Sequence, residues 1–279
     1  MIVGIGELLW DLFPDGSRVA GGAPFNFAFH CHQLGHPATI VSRVGEDDLG
    51  RELREEVKRL GMSDEYIQTD REHPTGTVRV SVDANGQPSY EIVENVAWDW
   101  LEPIPPIAVN AVGFGTLGQR SPASRDTIRS FVGRSPLRVL DVNLRQHFHS
   151  PECVEESISL ATMVKASEEE WPTVARSLGL ASPDELISNY PALRSVAMSR
   201  GANGMVHFGE DRFELPGVPV RFVDTVGAGD AFTAAMVCLH LEGKPLRDCA
   251  RFANRYAASV CEHRGATPRI DRRAIEAML

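Results

Sequence analysis

Short apolar, strand-like segments alternate with helix-like segments along most of the 279-residue sequence. Residues 1–6 are strand-like, and residues 21–35 predict a helix with Pro24 in its first turn and Gly35 after its last. Later members of the series are the strand-like segments 38–45, 110–115, 161–167 and 195–201 and the helical segments 228–242 and 247–265. This alternation favours an α/β fold with a mostly parallel central sheet and helices on both faces.

The stretch 75–94 departs from this alternation. Apolar and polar side chains alternate in it with a period of two around an Asn-Gly pair at 85–86, which predicts a β-hairpin. The hairpin has no helix of its own to pack on, so we expect it to project as a lid or an interface; the alternative is an extra hairpin at the sheet edge. We predict a single domain over residues 1–279, with lid elements at about 10–20 and 75–98.

The charge balance limits the classes of ligand that the whole surface can attract. Lys and Arg total 28 against 38 Asp and Glu, so the formal net charge is −10. Such a chain is unsuited to general binding of nucleic acids or anionic membranes. Any anionic ligand therefore requires a local site that is built to hold it.

Cysteine usage and hydropathy both indicate the cytoplasm. The five cysteines are widely spaced and include no Cys-x-x-Cys pair, which is typical of reduced thiols and not of a disulfide framework or a zinc site. The N-terminus lacks the basic start of a signal peptide. The longest apolar run, near 231–241, is too short to span a bilayer. We expect no membrane partner.

The segment DTVGAGDAF at 224–232 places a carboxylate beside a site suited to anions. Gly227, Ala228 and Gly229 present backbone amides at the start of an apolar helix, where an anion is stabilised. In phosphoryl transfer a base must lie within reach of the acceptor hydroxyl, next to the transferred phosphoryl group. Asp230 fits that base. The alternative is a tight strand-to-helix turn that Asp230 caps.

Asp224, six residues earlier, is expected on the incoming strand. There it could serve a cation near the phosphates, or hydrogen-bond to its own loop. Two other phosphate-binding motifs are alternatives to this one. The Walker pattern G-x-x-x-x-G-K-[ST] is missing from the sequence. A G-x-G-x-x-G pattern does occur at 113–118, but a delayed helix start favours an ordinary loop at a strand end over a dinucleotide site.

Two segments resemble the signatures of the ribokinase-like, or PfkB-type, carbohydrate kinases. DTVGAGDAFTAAMV at 224–237 resembles the C-terminal signature. GGAPFNFAFHCHQLG at 21–35, with the later Gly45, resembles the N-terminal one. The resemblance extends over nearly the whole chain. It implies a ribokinase-like fold with a small β-sheet lid, and phosphorylation of a small sugar by ATP with Mg²⁺, in some members with a monovalent cation such as K⁺ near 264–268.

The resemblance also implies roles for individual residues. It makes Asp230 the catalytic base and Gly227, Ala228 and Gly229 the anion hole. The implied sugar-binding residues are Asp11, Gly22 and Asn26; Thr77 and Arg79 point the same way on their strand and are expected to face the same pocket. The implied nucleotide-side residues are Ser199, Gly201, Gly204 and Asn254.

Two further motifs match the family with one departure each. DVNLR at 141–145 resembles a D-P-N-x-R segment with Val142 in place of proline, and it offers Arg145 to phosphate or substrate. KASEEE at 165–170 aligns with an N-x-x-E motif in which Ser167 replaces the asparagine and Glu170 keeps the acid. Glu170 and Asp224 are the expected metal-side residues, acting through water or on a monovalent cation.

Residues 73–101 resemble the lid of bacterial fructokinases, so fructose is the expected sugar. The segment ENVAWDW departs from a pattern common after the lid of many fructokinases. A 2-keto-3-deoxygluconate kinase, a nucleoside kinase and a catalytically silent sugar-binding protein remain alternatives. Trp98 and Trp100 either pack at the root of the lid or stack on a sugar ring. The exposed edge of the lid would allow a homodimer by strand pairing.

Overall fold

A computed structural model describes residues 1–82 and 88–279. The strands are β1 (Ile2–Ile5), β2 (Leu9–Leu12), β3 (Arg18–Gly21), β4 (Ala38–Gly45), β5 (Ile67–Asp70), β6 (Gly76–Val82), β7 (Pro88–Ile92), β8 (Ala111–Gly115), β9 (Leu137–Asp141), β10 (Met163–Ser167), β11 (Ser195–Ser199), β12 (Met205–Gly209) and β13 (Phe213–Leu215). The helices are α1 (Ala23–Gln33), α2 (Asp48–Arg59), α3 (Pro122–Val132), α4 (Pro151–Leu160), α5 (Trp171–Leu178), α6 (Asp184–Asn189), α7 (Ala228–Leu241), α8 (Leu246–Val260) and α9 (Arg272–Glu276).

The large sheet has nine strands in the order β13-β12-β11-β10-β9-β8-β1-β4-β5. Every pair from β11 to β5 is parallel, whereas β12 and β13 join antiparallel at one end. This confirms the predicted ribokinase-like α/β architecture with a mostly parallel sheet. Parallel strands bring their carboxyl ends to one edge, where α/β proteins hold their ligands.

A second, smaller sheet has the order β3-β2-β6-β7. Its strands lie in the ranges predicted for lid elements, and β6 and β7 form the predicted hairpin with Val78 opposite Ile92. The Asn-Gly pair at 85–86 lies outside the described residues. At the root of this sheet Trp98 is buried with the Arg120 guanidinium 3.9 Å from its ring centroid, and Trp100 stacks on His73. Both tryptophans therefore pack against other side chains at the root of the small sheet, which is one of the two alternatives predicted from the sequence.

Helices cover both faces of the large sheet. One hydrophobic cluster joins α1, α7 and α8 to the sheet, and another joins α3, α4, α5 and α6 to the opposite face. Helix α7 is buried from Ala231 to Leu239, which explains why the sequence there is apolar all round and not amphipathic. None of the helices in the described part of the chain is long and apolar enough to cross a membrane.

The sequence predicted both ends of α1 correctly, but it did not predict the segment that precedes α7. Pro24 lies in the first turn of α1 and Gly35 follows its end with φ +94°, as expected. Asp224, however, lies in the loop 216–225 and not on a strand, so that expectation is wrong. The loop leaves the sheet after β13 and delivers the chain to the start of α7.

Candidate active site

Asp230 lies in the first turn of α7, and its carboxylate faces α1. Asn26 Nδ2 donates a hydrogen bond to Asp230 Oδ2 at 2.8 Å. Asp230 does not cap its own helix, since Gly227 occupies the N-cap position without a side-chain bond. Loss of water around the carboxyl raises the pKa of Asp230 to about 7, and the charge of Asp141 adds to this, while the Asn26 hydrogen bond opposes it. This carboxyl can therefore take up a proton near neutral pH.

The turn before α7 requires glycine at one position. Gly227 has φ +78°, and a Cβ there would lie 2.6 Å from Ala266 Cα. The amide of Ala228 donates to Thr225 O, so Ala228 does not offer the free donor that the motif predicted. The amides of Gly229 and Asp230 precede the first intrahelical donor of α7, Ala231. They leave a partial positive charge at this helix end.

Lys165 on β10 adds a full positive charge at the same place. Its Nζ lies 3.1 Å from Asp141 Oδ1, and a Cβ on Gly229 would lie 2.9 Å from that Nζ. Burial lowers the pKa of Lys165, but the charges of Asp141, Glu170 and Asp230 outweigh it and raise the pKa above its usual value. Lys165 is therefore a positively charged side chain beside the N-terminus of α7, and its ion pair with Asp141 fixes its position. The sequence pattern did not single it out, although a lysine inside the apolar strand MVKAS was a usable signal.

Glu7 is a second acidic group that the motifs did not single out. It lies two residues after the end of β1 and is 2% exposed. Its Oε1 accepts a hydrogen bond from Ala23 N, the first residue of α1, at 3.2 Å. Burial raises the pKa of Glu7 to about 7, with a further contribution from Asp230. An acidic residue shortly after a buried strand was the available signal.

Asp11, Gly22 and Asn26, the expected sugar-binding residues, lie around the same end of β1. Asp11 is on β2, and burial raises the pKa of its carboxyl to about 6. Gly22 has φ +115° and adjoins Glu7, because a Cβ on Gly22 would clash with the Glu7 carbonyl oxygen. The structure brings Glu7, Gly22, Asn26 and Asp230 together through the start of α1.

Thr77 and Arg79 lie on the face of the small sheet opposite to Asp11, so the three side chains do not face one pocket as expected. Thr77 is paired in register with Trp10, whereas Asp11 is paired with Val78. Because neighbouring side chains on a strand point to opposite faces, Thr77 and Arg79 lie on the other face of the small sheet. Arg79 is exposed there and pairs with Glu91 at 3.2 Å. The two residues share a face, as predicted, but it is not the face of Asp11.

Glu170 holds two loops together. Its Oε1 accepts from Leu144 N and its Oε2 from Ser167 N, both at 2.7 Å. Ser167 Oγ accepts in turn from Glu170 N, which is a local bond that an asparagine side chain could also make. Arg145 follows Leu144 and is exposed, and its charge lowers the pKa of Glu7, Asp141 and Asp230. Its guanidinium therefore lies within electrostatic reach of all three carboxyls.

Asp224 ties the loop before α7 to the loop after α8. Oδ1 accepts from Val226 N at 3.1 Å and Oδ2 from Gly265 N at 3.0 Å. Both acids predicted for a metal thus have each oxygen bonded to a backbone amide. Within residues 1–82 and 88–279, His, Cys, Asp and Glu form no group of three that could hold a metal ion. The arrangement fits contact with a hydrated cation and not a dedicated cage, which suits Mg²⁺ because it keeps several waters.

Two of the expected nucleotide-side residues, Gly204 and Asn254, meet at the segment 215–217. Asn254 Nδ2 on α8 donates to Pro216 O at 2.7 Å. The turn at Gly201 and Gly204, which follows Ser199 at the end of β11, packs on this segment, since a Cβ on Gly204 would clash with Leu215 O. An open cavity of about 450 Å³ adjoins it. It is lined by Leu215, Pro216, Val218, Arg251, Asn254, Arg255, Met278 and Leu279.

The G-x-G-x-x-G pattern at 113–118 serves packing. A Cβ on Gly113 would lie 2.6 Å from the Phe27 ring, and one on Gly118 would lie 3.1 Å from Gly6 Cα. These glycines let α1 and the end of β1 approach β8. The geometry agrees with the interpretation of this pattern as a loop at a strand end.

Comparison with known proteins gives one family. The model of the family described as pfkB family carbohydrate kinase matches residues 11–273. The chain is 32% identical to a protein of Pyrococcus horikoshii described as an uncharacterized sugar kinase, over 97% of this chain and 94% of that one. It is 27% identical to the fructokinase of Salmonella typhimurium over 86% and 85% of the two chains.

Solved structures agree in fold. The crystal structure of the Pyrococcus horikoshii kinase in complex with ATP superposes with a TM-score of 0.80 at 30% identity, over 96% of this chain and 94% of that one. Fructokinase from Vibrio cholerae O395, in a form with fructose, ADP and calcium ion bound, superposes with a TM-score of 0.85 at 23% identity, over 99% and 97%. At that identity the second likeness supports the fold alone.

Proposed function

The chain belongs to the pfkB family of carbohydrate kinases, and on this premise we propose that it transfers the γ-phosphoryl group of ATP to a hydroxyl of fructose. The observation that carries the proposal is the position of Asp230. It combines a pKa of about 7, a hydrogen bond from Asn26, and a place in the first turn of α7 beside the Lys165 cation. A proton acceptor, Asp230, therefore lies next to groups that can stabilise negative charge, namely Lys165 and the N-terminus of α7.

In the proposed reaction Asp230 accepts the proton of the attacking sugar hydroxyl. The hydroxyl oxygen then bonds to the γ-phosphorus as the bond to the leaving ADP oxygen breaks. Lys165, the amides of Gly229 and Asp230 in the first turn of α7, and the amide of the N-cap residue Gly227 would stabilise the negative charge of the phosphoryl group in transfer. The Arg145 guanidinium, on the loop after β9, would also stabilise this negative charge.

We propose that the nucleotide binds in the cavity beside Asn254. Its adenine would lie against Pro216 and α8, and its phosphates would extend past Asp224 toward the α7 N-terminus. Mg²⁺, held chiefly by the phosphates, would neutralise part of their charge, and Glu170 and Asp224 would contact its hydration shell. A monovalent cation such as K⁺ would bind near Gly265.

The charges around the sugar support a neutral substrate. Asp11, whose carboxyl has a pKa of about 6 and is therefore mostly ionised at neutral pH, would repel the carboxylate of 2-keto-3-deoxygluconate on the proposed sugar side. The available cations are Lys165, which already pairs with Asp141, and Arg145. Trp98 and Trp100 are engaged in packing, which does not favour a nucleoside base either. A fructokinase among the relatives favours fructose over other neutral sugars.

The small sheet is proposed to act as a lid. It carries Asp11, and its Val19 comes close to the loop that holds Gly265, because a Cβ on Gly265 would lie 4.0 Å from Val19 Cγ1. The sheet thus reaches across from the sugar side to the loop after α8. Closure over bound sugar would exclude water and limit hydrolysis of ATP.

The test is a coupled assay of ADP release with fructose, ribose, 2-keto-3-deoxygluconate and adenosine. We expect kcat/KM for fructose to exceed the others by at least about tenfold, a modest discrimination for a hydrogen-bonding site. ADP release that does not depend on any sugar would contradict the proposal. Sugar binding measured by calorimetry without any turnover would instead indicate a silent sugar-binding protein.

A further inference from the structure

His30 is a fully buried histidine that the proposed proton transfer does not use. It lies on α1, four residues after Asn26, and its exposed fraction is 0%. Because residues four apart lie on one face of a helix, His30 and Asn26 project from the same side of α1. Asn26 bonds to Asp230. His30 instead bonds to the loop after α8, which packs against the start of α7.

Both ring nitrogens of His30 have hydrogen-bond partners. Nε2 lies 2.8 Å from the carbonyl oxygen of Ala266, and Nδ1 lies 3.0 Å from the hydroxyl oxygen of Tyr256 on α8. Burial lowers the pKa of His30 to about 4, so the ring is neutral and carries one proton. A carbonyl oxygen only accepts, so this proton is on Nε2 and is donated to Ala266 O. The Tyr256 hydroxyl then donates to Nδ1 and accepts from Gln33 Nε2 at 2.8 Å, which fixes the orientation of the ring.

Ala266 lies directly against the turn before α7. A Cβ on Gly227 would lie 2.6 Å from the Cα of Ala266 and 2.7 Å from its carbonyl oxygen, so the two backbones are in contact. The oxygen that accepts from His30 therefore belongs to the surface on which Gly227 rests. Gly227 is the N-cap of α7, and the amides of Gly229 and Asp230 follow it. A shift of Ala266 would therefore displace the amides at the start of α7.

Gln33, the last residue of α1, holds the next part of the same loop. Its Nε2 also donates to Pro268 O at 3.1 Å, and its Oε1 accepts from Ile270 N at 3.1 Å. Helix α1 thus bonds to the backbone of the loop at three residues. Of these three bonds, the one from His30 is made at the residue that touches Gly227.

We propose that His30 is a positioning residue, whose hydrogen bond to Ala266 O fixes the Gly227 turn and with it the amides at the start of α7. The inference rests on the proposed kinase function. Asn26 orients the Asp230 carboxylate from the same face of α1. The two side chains would together set the distance between the base and the amides that stabilise the transferred phosphoryl group.

The experiment compares His30→Gln with His30→Asn. The amide nitrogen of glutamine reaches about as far as Nε2 and can donate to Ala266 O, whereas the side chain of asparagine is one methylene shorter and cannot reach it. His30→Asn should lower kcat at least about tenfold, while KM for ATP and for the sugar changes less than about threefold, because only the geometry of the transfer step is lost. His30→Gln should keep kcat within about threefold of wild type.

His207→Asn is the matched control. His207 on β12 is also fully buried, and its ring bonds to Ser195 Oγ at 2.8 Å and to Asp211 O at 2.6 Å. This variant should lose stability in urea unfolding and keep the wild-type kcat. If His30→Asn behaves in the same way, His30 is only structural and the proposal is overturned. An equal fall of kcat in His30→Gln and His30→Asn would overturn it as well, since glutamine keeps the donor.

Hydrogen exchange of the segment 224–232 separates this inference from the proposed function. Exchange there should be about 2- to 10-fold faster in His30→Asn than in wild type and in His207→Asn, because one hydrogen bond that holds the turn is lost. If none of the four sugars of the assay is phosphorylated, the kinase proposal fails and exchange alone decides. Faster exchange in His30→Asn would still support His30 as the residue that positions this turn, and unchanged exchange would overturn it.

Should His30→Asn not fold, Tyr256→Phe takes its place. Without the hydroxyl, Nδ1 loses its donor and the ring can turn away from Ala266 O. We then expect kcat to fall, and exchange of the segment 224–232 to rise, by about 2- to 10-fold. No change in either measurement would overturn the proposal.

Discussion

Asn26 on α1 and Asp230 on α7 are joined by a 2.8 Å hydrogen bond although 204 residues separate them in sequence. The bond uses Asn26 Nδ2 and leaves its Oδ1 buried without a partner among the described residues. One side chain can therefore orient the carboxylate of the base and still accept from a sugar hydroxyl. The two signature segments thus meet at one point, where we propose the reaction takes place.

Asp230→Asn should lower kcat by about 10²- to 10⁴-fold, because the amide cannot accept the hydroxyl proton. The affinity for ATP, measured by calorimetry, should stay near the wild-type value, since the nucleotide cavity at Asn254 is untouched. Asp126→Asn, at an exposed position on α3, is the control and should keep full activity. A kcat for Asp230→Asn within a few-fold of wild type would show that Asp230 is not the base.

The pH profile should report the raised pKa of Asp230. The base works only when it is ionised, so kcat/KM should rise with pH and level off above about 7. Asn26→Ala removes a hydrogen bond that favours the ionised form, so its acid limb should move to higher pH. Steady-state rates from pH 5 to 9 for both proteins test this. An acid limb at the same pH in both proteins would show that the Asn26 hydrogen bond does not influence the ionisation of Asp230.

Glu7 should make stability depend on pH. Its pKa is raised from 4.5 to about 7 in the folded protein, so its stabilising contribution is complete below pH 4.5 and is lost as pH rises through 7. Relative to wild type, Glu7→Gln should therefore gain up to about 3 kcal/mol between pH 4.5 and pH 8. Urea unfolding at both pH values measures it. A stability difference that stays constant with pH would contradict this assignment.

Gly227→Ala should damage the site more than the same change at Gly243. Both glycines have φ +78°, so alanine is strained at each by roughly 1 kcal/mol. At Gly227 the added Cβ would also lie 2.6 Å from Ala266 Cα, whereas at Gly243 it meets nothing within 4 Å. We expect kcat/KM to fall at least about tenfold in Gly227→Ala alone. Equal activity in the two variants would show that the turn tolerates a displaced α7 N-terminus.

Lys165→Met should lose both activity and stability, because it leaves the buried Asp141 carboxylate without its cation. Breaking such a pair costs about 3–5 kcal/mol. The double variant Lys165→Met with Asp141→Asn should recover most of that stability but not the kcat, since the positive charge near Gly229 is still missing. Chemical unfolding and kcat of the single and double variants separate the two effects. Recovery of kcat in the double variant would rule out a catalytic role for the charge.

Several features of the fold and the site were predictable because the signals are local. The alternation of strands and helices predicted the parallel sheet, and Gly227-Ala228-Gly229 predicted the start of α7. The β6–β7 hairpin was visible in its two-residue period. Thr77 and Arg79 were predicted to share a face, which is correct, but period-two alternation cannot tell which face covers the pocket. That depends on the pairing of β6 with β2, which is 64 or more residues away in sequence.

By itself, the sequence determined the architecture and the family, and it predicted Asp230 as the acid beside an anion site, since periodicity, glycines and motif spacing are properties of neighbouring residues. Only the tertiary structure decided that Lys165 lies beside the N-terminus of α7 and that Glu7 is buried against the start of α1. It also decided that Asp224 bridges two loops. These roles depend on burial and on charges brought close by packing of distant segments, and a raised pKa exists only after water has been removed around the folded group.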